Sequence, residues 1–273
     1  MRLRHYLTLG AALASITVPA RVRAQGTEER PWSNEADLSI LFSRGNNDAT
    51  NISVSDKFVY RWPRSEWMFT GSALRSQTVE RGKPELAADG TVRVPEVEAT
   101  TAAYGLAGKY SYTVRDDFLI YTSGGWERDR RSGIEDRFSG SVGIGYQILA
   151  AERQKLVAEL GVDYTDELRV DDTRESHPGG RSTLSYERKL TDTSKLNADL
   201  ELLENLQDTR DLRANTVAGV TASLTEALAL KLSYTIKYDN EPVEILVAPG
   251  ESDAIFRFHK TDSRLGASLV VNF

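Results

Sequence analysis

The chain offers few side chains that could act as a nucleophile, a general base or a thiolate ligand. It contains no cysteine, and His177 and His259 are its only histidines beyond position 24. The run SGSVGIG at 139–145 lacks the Gly-x-Ser-x-Gly order of a nucleophile elbow. We therefore predict no enzyme activity, no catalytic residue, no disulfide and no bound cofactor.

Oxygen ligands cluster at one place, Asn46, Asn47, Asp48 and Asn51. Their spacing differs from that of a calcium-binding loop. Asn, Asp and Gly are also the residues that tight turns favour, since they tolerate positive φ. We interpret the cluster as a turn and predict no metal site.

A larger set of ionisable residues stands at alternate positions, opposite the apolar residues around them, which in a strand places their side chains on one face. Acids precede bases along the chain. Such a face could attract ions, or its opposite charges could bridge to one another. The set consists of Glu159, Asp163, Glu187, Asp199, Glu201, Arg213, Lys231, Lys237 and Arg264.

The elements that would carry these charges are strands. About twelve segments of roughly ten residues place apolar or aromatic residues at every second position, the period of a strand. That length crosses a bilayer when the strand is tilted. The segments are 36–42, 52–60, 67–73, 102–112, 118–126, 138–148, 156–164, 184–190, 196–202, 212–224, 228–238 and 265–273.

Two segments also fit a helix. Residues 150–160 and 195–206 are rich in helix-forming residues, and Leu196, Leu200 and Leu203 follow helical spacing. The even spacing of the neighbouring segments favours strands here.

The connections alternate between short and longer ones. Every second connection of an up-and-down meander lies at the same end, so one end of the barrel would carry short turns and the other end long loops. The short ones are 61–66, 113–117, 150–154, 191–194 and 225–227. The long ones include 80–99, 166–181 and 239–263.

The first 24 residues fit an export signal. A basic start precedes a modest apolar stretch, Tyr6 to Ala20, and Val22 and Ala24 suit cleavage before Gln25. The stretch is too short to span a bilayer as a helix. We predict a removed signal peptide, 1–24, and one domain, 25–273.

The charge balance limits the partners. The chain has a net charge of −6, and removal of the four arginines in the first 24 residues takes it to −10. Because neutralising phosphates requires a basic surface, we expect no nucleic-acid partner.

Alternation alone does not decide whether the apolar face lines a dry core or contacts lipid. The opposite faces mix small residues with charges, as a wet lumen would. Aromatic residues also gather near both ends of the segments, as at the two interfaces of a bilayer. We predict an all-β fold, a transmembrane antiparallel up-and-down β-barrel in the outer membrane of a Gram-negative bacterium. A secreted or periplasmic β domain is the alternative.

The last nine residues, LGASLVVNF, agree with this interpretation. Such an ending resembles the carboxy-terminal signal that hands outer-membrane barrels to their assembly machinery. The machinery would thus be a partner during biogenesis, and the last strand would pair with the first, because lipid cannot satisfy an open sheet edge. The signal residues are Leu265, Ala267, Leu269, Val271 and Phe273.

The opening of the first strands resembles the DUF481 family, whose members are described as salt-induced outer-membrane proteins. The resemblance rests on Trp32 before an Ala-x-Leu-Ser strand, on Gly45-Asn46-Asn47 with Asp48, Ala49 and Thr50, and on Trp62. Members often have Gly-Asn-Thr at this turn, where Asn47 stands here. The resemblance implies a barrel and its location, and it brings no substrate or catalytic residue.

Three arginines, Arg128, Arg130 and Arg131, follow Trp126 where a strand would leave the outer leaflet. They could bind phosphates of lipopolysaccharide, which would join outer-membrane lipid as a partner. A solvated run of charges, with acids at 129, 135 and 136, is the favoured alternative.

Twelve strands spaced about 4.8 Å apart and tilted by about 40° enclose a backbone radius of about 12 Å, and long side chains fill about half of it. We expect a narrow passive pore for small polar solutes or ions, connected through the family to osmotic or envelope adaptation. Acids on strands seven to nine would face bases on strands ten to twelve. The alternative is a non-conducting structural or surface-interaction barrel, in which these charges bridge and plug the lumen.

Overall fold

The computed structural model of the chain describes residues 30–43, 47–81, 85–86, 92–93, 96–242, 244–248, 254–257 and 259–273. Twelve of its strands form one sheet, numbered here in chain order. They are β1 (Trp32–Ser43), β2 (Asn47–Arg61), β3 (Ser65–Arg81), β4 (Glu96–Arg115), β5 (Phe118–Asp129), β6 (Ile134–Ala151), β7 (Gln154–Arg169), β8 (Arg174–Lys189), β9 (Ser194–Asn205), β10 (Leu212–Ser223), β11 (Leu228–Asp239) and β12 (Thr261–Asn272).

The sheet is a closed antiparallel barrel. Each strand pairs with the next along the chain, and β12 pairs with β1. At the closure Ala36 lies opposite Val271, Leu38 lies opposite Leu269, and the amide of Phe273 donates to the carbonyl of Asn34 at 3.1 Å. The predicted twelve-stranded up-and-down barrel is confirmed.

The two ends of the barrel differ in their connections. At one end, here called the short-turn end, two to four residues join successive strands: 62–64, 116–117, 152–153, 190–193 and 224–227. The other end, the loop end, carries 44–46, 82–95, 130–133, 170–173, 206–211 and 240–260. Short two-stranded hairpins lie within two of these loops, Glu85–Leu86 with Val92–Arg93 and Glu244–Ala248 with Ala254–Arg257.

Both segments that also fitted a helix are strands. Residues 154–160 lie in β7 and residues 195–205 in β9, and both pair with strands on each side. Helix propensity is worth only tenths of a kcal/mol per residue, so two full ladders of hydrogen bonds outweigh it. None of the helices in the described part of the chain is long and apolar enough to cross a membrane.

The predicted loop 166–181 is wrong in extent, because β7 continues to Arg169, β8 begins at Arg174, and only four residues connect them. Polar residues suggested a loop, yet their opposite charges pair between the strands. Arg174 binds Asp166 at 2.5 Å, and Arg169 binds Glu175 at 2.7 Å. Cross-strand ion pairs of this kind stabilise an extended hairpin.

The same correction applies to loop 80–99, since β3 runs to Arg81 and β4 begins at Glu96. One loop-end turn needs a glycine. The turn Arg130–Ser132 closes on Gly133, whose φ of 82° lies in the left-handed region that side chains disfavour.

The two faces of the barrel wall differ in character. Apolar and aromatic side chains predominate on the outer face of the strands and are exposed there, for example Leu38, Ile52, Phe69, Leu160 and Leu232. The buried positions include acids and bases on the inner face, among them Glu159, Glu167 and Arg213. The core of this molecule is therefore a polar lumen rather than an apolar interior.

A buried aromatic ring packs closely against the inner face of the wall at β5 to β7. The ring of Tyr121 projects inward across Gly143 of β6 and Gly161 of β7. A Cβ atom at Gly143 would lie 2.7 Å from Tyr121 Cε1 and still closer to the carbonyl oxygen of Leu160. A Cβ at Gly161 would lie 2.5 Å from the Tyr121 hydroxyl. Only glycine permits this close approach.

Candidate functional site in the barrel lumen

The ladder registers place one set of charged residues on the inner face. Glu159, Asp163 and Glu167 alternate along β7 with the outward Leu160, Val162 and Tyr164. The same alternation holds on the other strands. It brings every predicted lumen charge to an inward position: Glu159, Asp163, Glu187, Asp199, Glu201, Arg213, Lys231, Lys237 and Arg264.

In the middle of the lumen, Lys109 and Glu159 join strands β4 and β7. The Lys109 ammonium lies 2.5 and 2.6 Å from the two carboxylate oxygens of Glu159, and Thr183 donates a further bond to Glu159 at 3.0 Å. The ammonium also lies 4.8 Å from the centroid of the Tyr121 ring. These contacts compensate both charges inside the barrel.

Arg181 of β8 forms a second link at this level. Its guanidinium binds Glu201 of β9 at 2.7 Å and donates to the hydroxyls of Ser123 and Ser141 at 2.8 Å each. Glu201 also accepts a bond from Asn215 at 2.9 Å. The arginine thus joins β5, β6, β8 and β9.

Nearer the loop end, acids and bases form a network across the lumen. Lys237 of β11 forms an ion pair with Glu127 of β5, strands on opposite sides of the barrel. Arg137 binds Glu167 at 2.6 Å, and Arg213 lies 3.7 Å from the same carboxylate. Opposite charges therefore hold distant strands together at this level.

At the short-turn end, the bases come from β9 and β11 and the acids from β1. Lys231 binds Asp37 at 2.8 Å and Glu35 at 3.2 Å. Lys195 approaches Glu35 at 3.7 Å. Ion pairs thus link separate strands at three levels, and the Lys237–Glu127 pair spans the lumen.

The expected opposition of an acidic wall and a basic wall is not what the structure shows. Glu159 pairs with Lys109 of β4, and Glu201 pairs with Arg181 on its own side of the barrel. Lys231 pairs with acids of β1. The alternating pattern indicated which residues face inward. The predicted opposition considered only acids of β7 to β9 and bases of β10 to β12, and it omitted the acids of β1 and β5 and the bases of β4, β6 and β8.

Several lumen residues were missed that the same signal could have found. Each lies on the face of its strand that is opposite to the face carrying the apolar residues. They are Glu35, Asp37, Lys109, Glu127, Arg137, Glu167 and Arg181.

Four predicted lumen residues belong to none of these ion pairs. Glu187 accepts a bond from Asn197 at 3.3 Å. Asp199 and Arg264 are exposed on the inner face, with no ion partner among the residues that the structure describes. Asp163 is buried and accepts a bond from Thr165 at 3.0 Å.

His177 falls within the predicted long connection 166–181, and that placement is wrong. His177 lies in β8, is buried, and has Nε2 3.7 Å from Asp211. The extension of β8 beyond its predicted start draws the residue into the wall. His259 is exposed on the last connection, as expected. Within the described ranges, no group of three His, Cys, Asp or Glu could hold a metal ion.

The arginines after Trp126 have protein partners. Arg128 binds both oxygens of Asp136 at 2.7 Å, and Arg130 binds Glu135 at 2.6 and 2.7 Å. A phosphate would have to compete with these forked pairs. The side chain of Arg131 lies outside the described residues.

The terminal residues lie on the outer face of β12. Leu265, Leu269 and Phe273 are exposed there, and Ala267 and Val271 share that face.

The loop end also carries exposed ion pairs. In the connection 206–211, the Arg210 guanidinium binds Asp208 at 2.7 Å and, by hydrogen bonding to the carboxylate, lowers the pKa of Asp208 to about 2. Such exposed pairs add little to stability.

Three solved structures with similar folds are distant in sequence. An outer membrane channel from Pseudomonas putida F1 aligns over 94% of this chain and 99% of its own, with 12% identity and a TM-score of 0.50. The NanC porin covers 88% and 98% with 9% identity and a TM-score of 0.44. The translocator domain of the autotransporter NalP from Neisseria meningitidis covers 89% and 86% with 10% identity and a TM-score of 0.43. At such identities the likeness concerns the fold alone.

The comparison with curated proteins finds no match. A family model described as "Protein of unknown function, DUF481" matches residues 36–273, which include nearly the whole barrel. The match extends far beyond the opening strands that carried the resemblance in the sequence. The chain belongs to the DUF481 family.

Proposed function

We propose that this chain is an outer-membrane channel of low conductance for small polar solutes or ions. The observation that carries the proposal is the inner face of the closed barrel, which presents ionisable side chains at three levels between its ends. A barrel with a merely structural role could fill this space with apolar side chains and so avoid the desolvation penalty of burying charges. Charged, hydrogen-bonding walls are what a hydrated path requires.

The outer face supports placement in a lipid bilayer. Exposed leucine, isoleucine and valine side chains cover the middle of the strands. Aromatic side chains stand toward the two ends, with Trp67, Tyr112 and Tyr146 toward the short-turn end and Phe138 and Tyr164 toward the loop end. Apolar bands flanked by aromatic girdles are typical of transmembrane barrels. An export signal at 1–24 and assembly through the terminal strand complete the proposal, together with contact to membrane lipid.

The test is electrical recording from purified, refolded protein in a planar bilayer. We expect small unitary currents in potassium chloride, because side chains occupy much of the lumen. Folding and insertion are checked by the heat-modifiable migration of the barrel in detergent gels and by its resistance to protease. Folded, inserted protein that gives no unitary current would contradict the channel.

A non-conducting barrel is the second candidate, and the cross-lumen pairs favour it. Lys109–Glu159 and Lys237–Glu127 could act as struts that keep the lumen shut. In that case the loops would carry the function by contacting lipopolysaccharide or another surface partner. Recording separates the two, since only the channel conducts at any ionic strength.

A role in osmotic adaptation rests on the family resemblance. If the channel serves such a role, a strain without the protein should adapt more slowly to a rise in external salt, and the wild-type chain should restore it. Equal adaptation of both strains would remove the osmotic role and leave the channel itself unaffected.

We also propose that the chain is not an enzyme. Its buried histidine has an acid as its near neighbour and lies in a packed part of the lumen. A lipid-hydrolysis assay on the refolded protein tests this, and turnover above that of a His177→Ala variant would contradict it.

A further inference from the structure

One row of inward side chains on the barrel wall is open to water. Ser185, Asp199, Val217, Thr235 and Arg264 are successive cross-strand partners on β8 to β12. Four of them are exposed, and Thr235 is half-buried. These five residues are called the open row below.

Val217 shows that free space adjoins the open row. Its neighbour Asn215, two positions earlier on the same face, bonds to the inward Glu201, so Val217 also points inward. Its side chain is nevertheless 40% exposed, whereas the inward Val270 of β12 is 1% exposed. An apolar side chain inside a barrel can be this exposed only where the lumen is unfilled.

Packed regions lie on both sides of the open row. Toward the loop end, Asp129, Glu167, His177 and Arg213 are buried. Toward the short-turn end, the buried residues are Val59, Thr221, Ala229 and Val270. The unfilled space beside the open row therefore runs obliquely along the inner face of the wall, between two packed regions.

The open row also carries two charges of opposite sign. Asp199 and Arg264 stand three strands apart, about 14 Å at a strand spacing of about 4.8 Å. Neither has an ion partner in the described part of the chain. The charges of the ion pairs, by contrast, are bound to their counter-charges, so their fields largely cancel at a distance.

We propose that solutes pass beside the open row, and that Asp199 and Arg264 set the ion selectivity of the channel. The proposal rests on the channel function above and names the residues that act in it. Asp199 favours cations and Arg264 favours anions, whereas paired charges such as Lys109 and Glu159 serve the architecture. The path is thus eccentric, along one side of the lumen.

Thiol labelling tests the path without any need for current. The natural chain has no cysteine, so single substitutions report one site each. In the folded barrel we expect Val217→Cys to react with a charged methanethiosulfonate. Val270→Cys, an inward valine in a packed region, and Val220→Cys, an outward valine on the same strand covered by detergent or lipid, should react at least tenfold more slowly. Val217→Cys as slow as Val270→Cys would overturn the path.

Reversal potentials in a salt gradient test the selectivity. Removing one charge a few ångströms from an ion in water should change the permeability ratio about two- to fivefold. Asp199→Asn should shift it toward anions, and Arg264→Gln toward cations. The double variant Arg153→Gln with Asp192→Asn, which removes an exposed pair of opposite charges at a short turn outside the lumen, is the control and should leave the ratio unchanged. Ratios unmoved by both single variants would overturn the assignment.

The two tests distinguish failure of the channel function from failure of the proposed path. Reactive Val217→Cys in a barrel that never conducts would end the channel function while the open row remains. Conducting protein with unreactive Val217→Cys would end the open row as the path while the channel remains.

Discussion

Lys237 and Glu127 form an ion pair between β11 and β5, strands that lie on opposite sides of the barrel. The pair therefore crosses the lumen instead of lining one wall. Arg137 also approaches Glu127, at 3.5 Å, and binds Glu167, so the contact belongs to a network. In the channel proposed above, this network would act as a filter at the mouth of the loop end.

Removing the Lys237 ammonium should widen this mouth. We expect Lys237→Met to raise the unitary conductance and to make the current more cation-selective, because Glu127 loses a counter-charge while its carboxylate remains. Planar-bilayer recording measures both. Arg153→Gln, which removes a 3.6 Å pair with Asp192 at the rim of a short turn, is the matched control and should change neither. Unchanged conductance in Lys237→Met would contradict the filter.

The Lys109–Glu159 pair should show its effect on stability. Breaking a buried pair on one side leaves an uncompensated charge and typically costs about 3–5 kcal/mol. We expect Glu159→Gln to lower the free energy of unfolding by this order. Lys109→Met combined with Glu159→Gln should recover part of the loss. Urea titrations followed by tryptophan fluorescence, arranged as a double-mutant cycle, give the coupling. Strictly additive single effects would show that the pair is not coupled.

The close approach of Tyr121 to Gly143 predicts a local packing defect. Gly143→Ala forces its methyl group against the ring and against the backbone of β7, and overpacking of this kind typically costs about 1–3 kcal/mol. Gly140→Ala lies on the same strand, where the nearest atom to the new methyl group is 3.9 Å away, and should cost far less. Unfolding free energies of the two variants compare them directly. Equal losses would mean that the ring does not constrain Gly143.

Alternation was sufficient to predict the strands and the inward face, because period-two patterning is local. The partners of the inward charges were not predictable in the same way. Lys109 and Glu159 are 50 residues apart, and Lys231 and Asp37 are 194 apart, so their contact depends on how the closed sheet is tilted and staggered. Nothing in the local pattern specifies that geometry.

The ends of strands were misjudged for a related reason. The polar run around Arg169 and Glu175 suggested a loop by its composition. It forms strand because each charge meets an opposite one across the hairpin. His177 was drawn into the wall by that extension. Local composition does not show cross-strand complementarity.

The character of the outer face gives the sharpest test of membrane placement. Leu160 lies outward near the middle of β7 and is 63% exposed. If water covers this face, Leu160→Arg is a surface substitution that should change stability by no more than about 0.5 kcal/mol. If lipid covers it, an arginine near the bilayer midplane costs about 2–4 kcal/mol. We expect the larger loss, measured as the unfolding free energy in lipid vesicles. Leu190→Arg, at the edge of the short-turn end where water is near, is the control and should cost much less. Equal, negligible costs would place this barrel in water and remove the basis of the channel.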